Sequence, residues 1–322
     1  TITLQSGSTA IVYTTVQAAV TAADAANADS SILINEGTYA ENITIPTTYV
    51  HKLWLVGEGF GKVSISPAAG TAISIPTGGG PDTLNFKNLI INGASGSYSV
   101  SAGATTPAFF EDCYFLRKVG GNFNATSFRR CVFVGGYNVD DATFTPSAVT
   151  FSDCLFSTVG CTWSAGSLDN HIFSHCTWSG ASALISVTGS DIDRMTFIGC
   201  QQVTSSATTF FTINSASSYV QGVTFDGCRF YAPGTNGCIY VQAYQASTVG
   251  PGIIVTNCQF KRLNTSTNPF IKCDDADASG WVIVGNAFGE AADGYVEDAA
   301  GVSVTGIFID AAIGPNSPPD FN

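Results

Sequence analysis

A short phrase recurs along most of this chain and constrains its fold more than any other feature. It consists of an aromatic residue, two small or polar residues, Cys, any residue and a second aromatic residue, as in Phe110-Glu-Asp-Cys113-Tyr-Phe115. A phrase repeated at such intervals indicates one structural unit stacked many times. The Cys positions form the series Cys113, Cys131, Cys154, Cys176, Cys200, Cys228 and Cys258, and a weaker copy places Asn286 in the Cys position.

The spacing of the phrase indicates what kind of unit is stacked. Successive steps vary from 18 residues (113 to 131) to 30 residues (228 to 258), which suits a solenoid with constant strands and variable loops. Side chains alternate in a strand, so Cys and the aromatic residue two places later share a face. The two residues before each Cys are mostly turn formers, and a bend there returns the first aromatic residue to the interior. The sequence therefore predicts an all-β parallel β-helix in which equivalent residues stack in columns.

The seven column cysteines, with Asn286, are predicted to be packing residues. Free Cys behaves as a small hydrophobic residue, which a narrow interior column favours. Disulfides between coils remain the alternative, although ten Cys in 322 residues is far below the density of a disulfide framework. The spacing lacks paired Cys-x-x-Cys motifs, so no zinc site is predicted. A buried thiol column suits folding in a reducing compartment, and Cys161, Cys238 and Cys273 lie off the column without an assignment.

The N-terminal stretch is predicted to cover the open end of the solenoid. Apolar residues from Val16 to Ala26 recur at helical spacing, and Thr14-Thr-Val-Gln17 fits a capping box, which predicts a helix over roughly residues 15 to 28. We expect one β-helix domain over 1–310. Within it, 1–45 form the cap and first strands, and 200–290 form coils with longer lateral loops. Residues 311–322, which contain Gly314-Pro-Asn-Ser-Pro-Pro319, are predicted to be a tail or linker.

The charge of the chain limits its partners. Only 11% of the residues are charged, and 24 Asp and Glu outnumber 12 Lys and Arg. A nucleic-acid binder needs a basic stripe, so we expect no nucleic-acid partner. The acidic balance also disfavours anionic membranes, and no apolar run approaches the length of a membrane span.

Three segments of the N-terminal block form a recognisable set: Val16-Gln-Ala-Ala-Val20, Asn35-Glu-Gly-Thr-Tyr-Ala-Glu-Asn-Ile43 and Leu53-Trp-Leu-Val-Gly-Glu-Gly59. With these segments the block resembles the start of pectin methylesterases and the wider pectin-lyase-like superfamily of β-helices. The resemblance implies a right-handed single-stranded parallel β-helix with an N-terminal capping helix. The catalytic Gln-Asp-Thr and Asp-Phe-Ile-Phe-Gly motifs of pectin methylesterases do not occur here, so the activity is not implied with the fold.

Acidic residues nevertheless provide weak catalytic candidates. Asp191, Asp193 and Arg194 resemble the carboxylates and Arg of pectate lyases, and the two aspartates would share a face if that stretch is extended. Asp274-Asp275 matches one short motif of polygalacturonases, and this acidic loop could bind Ca²⁺. Solvated turns and loops are the competing interpretation for both sets. No cofactor is otherwise predicted.

The longer coils after Cys200 offer a second kind of site. Insertions in a solenoid often gather on its binding face, and aromatic rings suit the apolar faces of sugars. The sequence-based candidates for glycan contact are Tyr219, Tyr231, Tyr240, Tyr244 and Trp281. The alternative is that these rings pack against the flank of the solenoid or a neighbouring subunit.

A complete scaffold without a recognisable catalytic set predicts a non-enzymatic structural or adhesive protein. Its expected setting is a virion surface, as a spike, fibre or decoration protein assembled in the cytoplasm, with glycans as a further partner. Viral spikes of this superfamily are often homotrimers, so the resemblance implies a homo-oligomer, with a trimer favoured, or docking onto a capsid or tail. Two alternatives stay open: a polysaccharide lyase or hydrolase with a site on the long-loop flank, and a secreted extracellular adhesin.

Overall fold

The computed structural model describes residues 1–77, 80–103, 107–140, 145–180, 185–203, 209–231, 237–246, 252–261, 269–274, 281–289, 296–298 and 308–313. Side chains are described through residue 289, apart from those of 215–218 and 243–246. The chain is an all-β parallel β-solenoid of about nine turns with one short helix, which confirms the predicted fold class. Its contacts divide it into two compact units: residues 1–138 with 146–155, and residues 139–145 with 156–322.

The first unit begins with a hairpin that breaks the parallel pattern. Strands β1 (Ile2–Ser6) and β2 (Thr9–Tyr13) pair antiparallel across a two-residue turn, in which Gly7 adopts a left-handed φ of 57°. Strand β1 also pairs antiparallel with β3 (Ser30–Ile34), which starts the parallel sheets. This hairpin was not predicted from the sequence.

Helix α1 (Val16–Ala26) connects the hairpin to β3 and confirms the predicted helix. It buries Val16, Ala19, Val20 and Ala23, so its apolar face closes over the first strands. The predicted capping box is wrong: the N-cap is Thr15, whose Oγ1 accepts from the Ala18 amide at 3.2 Å. Gln17 instead exchanges hydrogen bonds with the backbone of Thr44.

Each turn of the solenoid contributes up to three strands, named here by their position relative to the column residue. The preceding strands are β3, β6 (Lys52–Gly57), β9 (Thr83–Lys87), β12 (Ala108–Glu111), β15 (Ser127–Arg129), β18 (Thr150–Ser152), β21 (Ser167–Ser174), β24 (Asp191–Ile198), β29 (Ile253–Thr256) and β34 (Phe308–Ile313). The strands at or after it are β4 (Gly37–Tyr39), β7 (Val63–Ile65), β10 (Leu89–Ile91), β13 (Tyr114–Phe115), β16 (Val132–Phe133), β19 (Leu155–Phe156), β22 (Thr177–Trp178), β25 (Gln201–Gln202), β27 (Arg229–Tyr231) and β30 (Gln259–Lys261).

The third position of each turn completes the list. Its strands are β5 (Ile43–Thr44), β8 (Ile73–Ile75), β11 (Tyr98–Ala102), β14 (Lys118–Gly121), β17 (Tyr137–Val139), β20 (Cys161–Trp163), β23 (Ile185–Val187), β28 (Ile239–Ala246), β31 (Ile271–Cys273) and β33 (Val296–Asp298). Two longer strands, β26 (Phe211–Asp226) and β32 (Val282–Phe288), each run through a corner and join two positions. Within each unit, equivalent strands of successive turns pair in parallel.

One left-handed residue makes the corner before each column position, where the sequence predicted a bend. Such a φ favours Gly, Asn and Asp, because other side chains are strained there. In the first unit these residues are Asn88, Asp112, Arg130 and Asp153, and in the second they are His175, Gly199, Gly227, Asn257 and Gly285, all with φ between 50° and 67°.

Inside the corners, equivalent side chains stack in ladders. In the first unit, Phe128 lies between Phe110 and Phe151, with ring centroids 4.8 and 5.0 Å apart. In the second unit, Phe197 lies between Phe173 and Phe225 at 4.8 Å each. Stacked and edge-on aromatic pairs add about 0.5–1.5 kcal/mol each beyond the burial of their area.

The column cysteines lie beside these ladders as buried free thiols. Burial raises the pKa of Cys113 and Cys200, which keeps both thiols protonated. Within each unit, column thiols donate to the carbonyl of the first aromatic residue of the preceding turn, as Cys113 does to Phe86 at 3.6 Å and Cys200 does to Phe173 at 3.3 Å. Cys161, Cys238 and Cys273, unassigned from the sequence, are also buried free thiols, within or next to strands of the third position.

Asn286 takes over the role of Cys at the end of the column. Its Nδ2 donates to the Val255 carbonyl at 2.9 Å, and its Oδ1 accepts from the Cys258 amide at 2.9 Å. The buried amide side chain therefore both donates to and accepts from the backbone of the preceding turn, whereas the column thiols donate to carbonyls.

Candidate functional site

The catalytic candidates Asp191, Asp193 and Arg194 lie on one strand of the second unit. They belong to β24 rather than to a solvated turn, and the buried Ile192 between the aspartates shows that both carboxylates face outward, as predicted for an extended segment. Arg194 has a left-handed φ of 58° and aligns with Asn170 and Gly222, which also have positive φ. This second corner turns the Arg194 side chain toward its neighbours.

The strand register places Asp169, which was not a candidate from the sequence, in the same cluster. Asp169 on β21 pairs with Asp193 on β24, and Asp193 pairs with Gln221 on β26. Arg194 Nη2 lies 3.2 Å from Asp169 Oδ1, and Arg194 Nε lies 3.5 Å from Asp193 Oδ1. Gln221 Nε2 donates to Asp193 Oδ1 at 2.7 Å. The result is an outward cluster in which one guanidinium bridges carboxylates from adjacent turns.

The contacts of the carboxylates in this cluster limit the reactions that it could catalyse. Glycoside hydrolysis uses two carboxylates on opposite sides of one bond, with one of them protonated. Here Asp169 and Asp193 both face the same guanidinium, and all three side chains are more than two-fifths exposed. Asp191 accepts the Tyr219 amide at 2.9 Å. These contacts tie neighbouring turns together.

Asp274 is also occupied by neighbouring side chains. The hydroxyl of Tyr240 donates to Asp274 Oδ2 at 2.8 Å, and Lys272 Nζ lies 3.6 Å from Asp274 Oδ1. Burial, followed by this hydrogen bond, raises the pKa of Tyr240 to about 12, so the phenol stays protonated as the donor. Asp275 lies outside the described residues. Among the described residues no group of three or more His, Cys, Asp or Glu side chains could hold a metal ion.

The glycan-contact candidates differ in how far their side chains are exposed to solvent. Tyr219 is 49% exposed and Tyr231 is half-buried, so both rings reach the surface. Tyr240 is only 7% exposed beneath Asp274, and Trp281 is fully buried. The assignment of Tyr240 and Trp281 to sugar contact is therefore wrong, because neither ring presents a face to solvent. The side chain of Tyr244 lies outside the described residues.

An outward row of the first unit carries a different set of aromatic residues, which the sequence analysis missed. Trp54 on β6 pairs with Asn85 on β9, and Asn85 pairs with Phe109 on β12. Phe109 is 42% exposed, and Trp54 and Asn85 are half-buried. Since neighbouring strands lie about 4.8 Å apart, the two rings stand roughly 10 Å apart along the sheet, with an amide between them. Ser31 and Ser127 extend the row on either side.

Charged residues lie in the next outward row, beside the aromatic row. Lys87, Glu111 and Arg129 are register partners on β9, β12 and β15. Glu111 is shared by Lys87 at 2.9 Å, Arg130 at 2.8 Å and Arg129 at 3.5 Å. Hydrogen bonds from Lys87 and Arg130 lower the pKa of Glu111, so it stays ionised at neutral pH. The aromatic row is therefore flanked by an exposed network of both signs.

Solved structures similar to this one include two pectin methylesterases and a bacteriophage protein. Pectin methylesterase from carrot shares 13% identity and a TM-score of 0.45, covering 79% of this chain and 81% of that chain. Pectin methylesterase from Aspergillus niger in deglycosylated form shares 13% identity and a TM-score of 0.44, covering 80% and 86%. The N-terminal fragment of bacteriophage Phi29 gene product 12 shares 10% identity and a TM-score of 0.42, covering 92% and 69%.

By sequence, no protein-family model and no curated protein matches the chain. In the described part of the chain, no helix has the length and apolar character needed to span a membrane.

Proposed function

We propose that this protein is a non-enzymatic structural and adhesive β-helix of a virion surface, which contacts glycans through the Trp54–Asn85–Phe109 row. The observation that carries the proposal is this aromatic–amide–aromatic row on an outward sheet face. Aromatic rings pack against the C–H faces of sugars, and an amide both donates to and accepts from their hydroxyls. The described catalytic candidates, in contrast, are bound to neighbouring turns.

The interior supports a structural role. Ladders of stacked aromatic rings and buried thiols leave a regular scaffold that needs no disulfide. Free thiols suit assembly in a reducing cytoplasm. In this setting the protein would form a homo-oligomer or dock onto a capsid or tail.

The glycan contact is tested by binding to an array of neutral and acidic polysaccharides. Trp54→Ala with Phe109→Ala should weaken binding about 5- to 150-fold, because two aromatic contacts are lost at about 0.5–1.5 kcal/mol each. Phe60→Ala is the matched control, because Phe60 is 60% exposed in a loop of the same unit and outside the row. Unchanged binding by the double variant, or no glycan bound by the wild type, would refute the glycan contact.

The virion setting is tested separately. Antibody labelling of purified particles from the source of this sequence should place the protein on their surface. Its absence from all particles would overturn that part of the proposal while leaving the glycan result intact.

A second candidate function rests on Asp169, Asp193 and Arg194. Two carboxylates on adjacent turns, bridged by one cation, could act on a polysaccharide if substrate displaced the guanidinium. Release of oligosaccharides should then be abolished in Asp169→Asn and Asp193→Asn but retained in Asp226→Asn, a surface Asp that binds Thr256 and Asn257. Failure of the wild type to cleave any polymer of the array would remove this candidate.

A further inference from the structure

Strand β2 is an unprotected sheet edge. It pairs with β1 along its whole length, from Ile2↔Tyr13 to Ser6↔Thr9, and no described strand pairs with its other side. Protein edges are normally protected by charge, proline or a bulge, since exposed N–H and C=O groups recruit another strand. The sequence of β2, Thr9-Ala-Ile-Val-Tyr13, contains none of these, and its register with β1 is regular.

Both faces of this edge are apolar and open. Val12 is 63% exposed and aligns across the sheet with Thr3 and then with Leu33, which is 43% exposed. On the other face, Ile11 is 48% exposed and lines a groove of about 470 Å³ together with Ala22 and Ala26 of α1. An added strand would therefore bury apolar side chains on both faces in addition to completing the hydrogen-bond ladder.

The distribution of charged side chains in the sequence favours a second copy of this chain as the partner at this edge. The chain carries a net charge of −12, yet its first charged side chain is Asp24, so β1, β2 and the first two turns of α1 are uncharged. Two copies of an acidic protein repel each other, and a neutral region lets them meet at the lowest cost.

We propose that β2 is a self-association edge, at which two copies pair their β2 strands antiparallel about a two-fold axis through Ile11. In this register Ile11 faces Ile11 of the other copy, and Ala10 faces Val12. A two-fold interface requires such a self-complementary surface, and the small Ala10 leaves room for Val12. The sheet then continues from β3 and β1 through two β2 strands into the second copy. This pairing does not depend on the glycan contact or on the virion setting.

The register is tested by a pair of matched double variants, with mass measured by light scattering and sedimentation on the full chain. The wild type should have twice the 33.4 kDa mass of the chain at micromolar concentration. Ala10→Lys with Val12→Lys places Lys opposite Lys twice and should give a monomer. Ala10→Glu with Val12→Lys places Glu opposite Lys twice and should restore the dimer. Val50→Lys, at an apolar residue 52% exposed elsewhere in the unit, should leave the mass unchanged.

A cross-link tests the same geometry without introducing charge. Under mild oxidation Ile11→Cys should form a covalent dimer, whereas Ser8→Cys, at the hairpin turn, should not. This result decides the matter if the Lys double variant misfolds. A monomeric wild type, an oligomer that persists in the folded Lys double variant, or no cross-link in the Ile11→Cys variant would each overturn the proposal. A monomer that instead captures an extended peptide at β2 would also overturn it.

Discussion

A buried histidine should make the second unit sensitive to mild acid. His171 on β21 is 1% exposed, is a register partner of Met195 on β24, and its Nδ1 lies 3.2 Å from the Asp169 carbonyl. Burial lowers the pKa of His171 to about 4, since an imidazolium loses its hydration there, and contact with Asp169 only partly offsets this. The ordinary value in an unfolded chain is about 6.5.

The sign and size of the effect follow from these two values. Below about pH 6.5 the unfolded chain binds a proton that the folded protein does not, so the free energy of unfolding falls as the pH falls. The loss is complete near pH 4, where the folded protein is also protonated. At 1.36 kcal/mol per pKa unit the full loss is about 3 kcal/mol, of which about 2 kcal/mol has appeared by pH 5.

Urea unfolding of the wild type and His171→Met at pH 7.5 and pH 5 measures this loss. Carboxylates titrate mainly below this window, so histidines dominate the change within it. We expect the wild type to lose about 2 kcal/mol more than His171→Met between the two pH values. His175→Gln, at an exposed histidine four residues away, is the matched control. Equal losses in the wild type and His171→Met would refute the reasoning.

Two further substitutions test the scaffold. Phe128→Ala should lower the free energy of unfolding by about 3–5 kcal/mol, because it removes a fully buried ring between two others, whereas Phe109→Ala on the open face should cost far less; similar urea midpoints for the two variants would contradict the ladder. Glu41→Ala should speed hydrogen exchange of the Val16 and Gln17 amides, which donate to the Glu41 carboxylate at 2.8 and 2.9 Å, with a cost of about 0.5–2 kcal/mol. Glu36→Ala removes only an exposed ion pair with Lys62 and should leave those amides unchanged; equal protection in Glu41→Ala would show that the carboxylate does not cap the helix.

The stacked architecture could be predicted because the residues that specify each coil lie close together in the sequence. Each copy of the phrase contains the corner, the column residue and both ladder residues within six positions, so one coil can be interpreted without the others. Helix α1 is likewise evident from its own periodicity. The additional bond from Val16 to Glu41 is not, because Glu41 lies 25 residues away along the chain.

The misassigned aromatic residues show where local information ends. The sequence predicts Trp281 as a surface ring in a long insert, yet it stands two residues before the buried Ile283, a spacing that in a strand places both on the inner face. Tyr240 does face outward from its strand, but Asp274 from the next turn covers it, which depends on contact between turns. The Trp54–Asn85–Phe109 row required alignment of three coils whose steps differ in length.

The single left-handed residue at each corner has a consequence for how this protein could change over time. The corner residue directly precedes the column residue in the chain. The two therefore keep their relative positions when the step between successive column residues grows from 18 to 30 residues. A loop can thus be lengthened, replaced or used to carry a foreign peptide while the ladders on either side keep their partners. Recognition can diversify quickly on such a scaffold, because the sequence that varies and the sequence that folds the chain are physically separate.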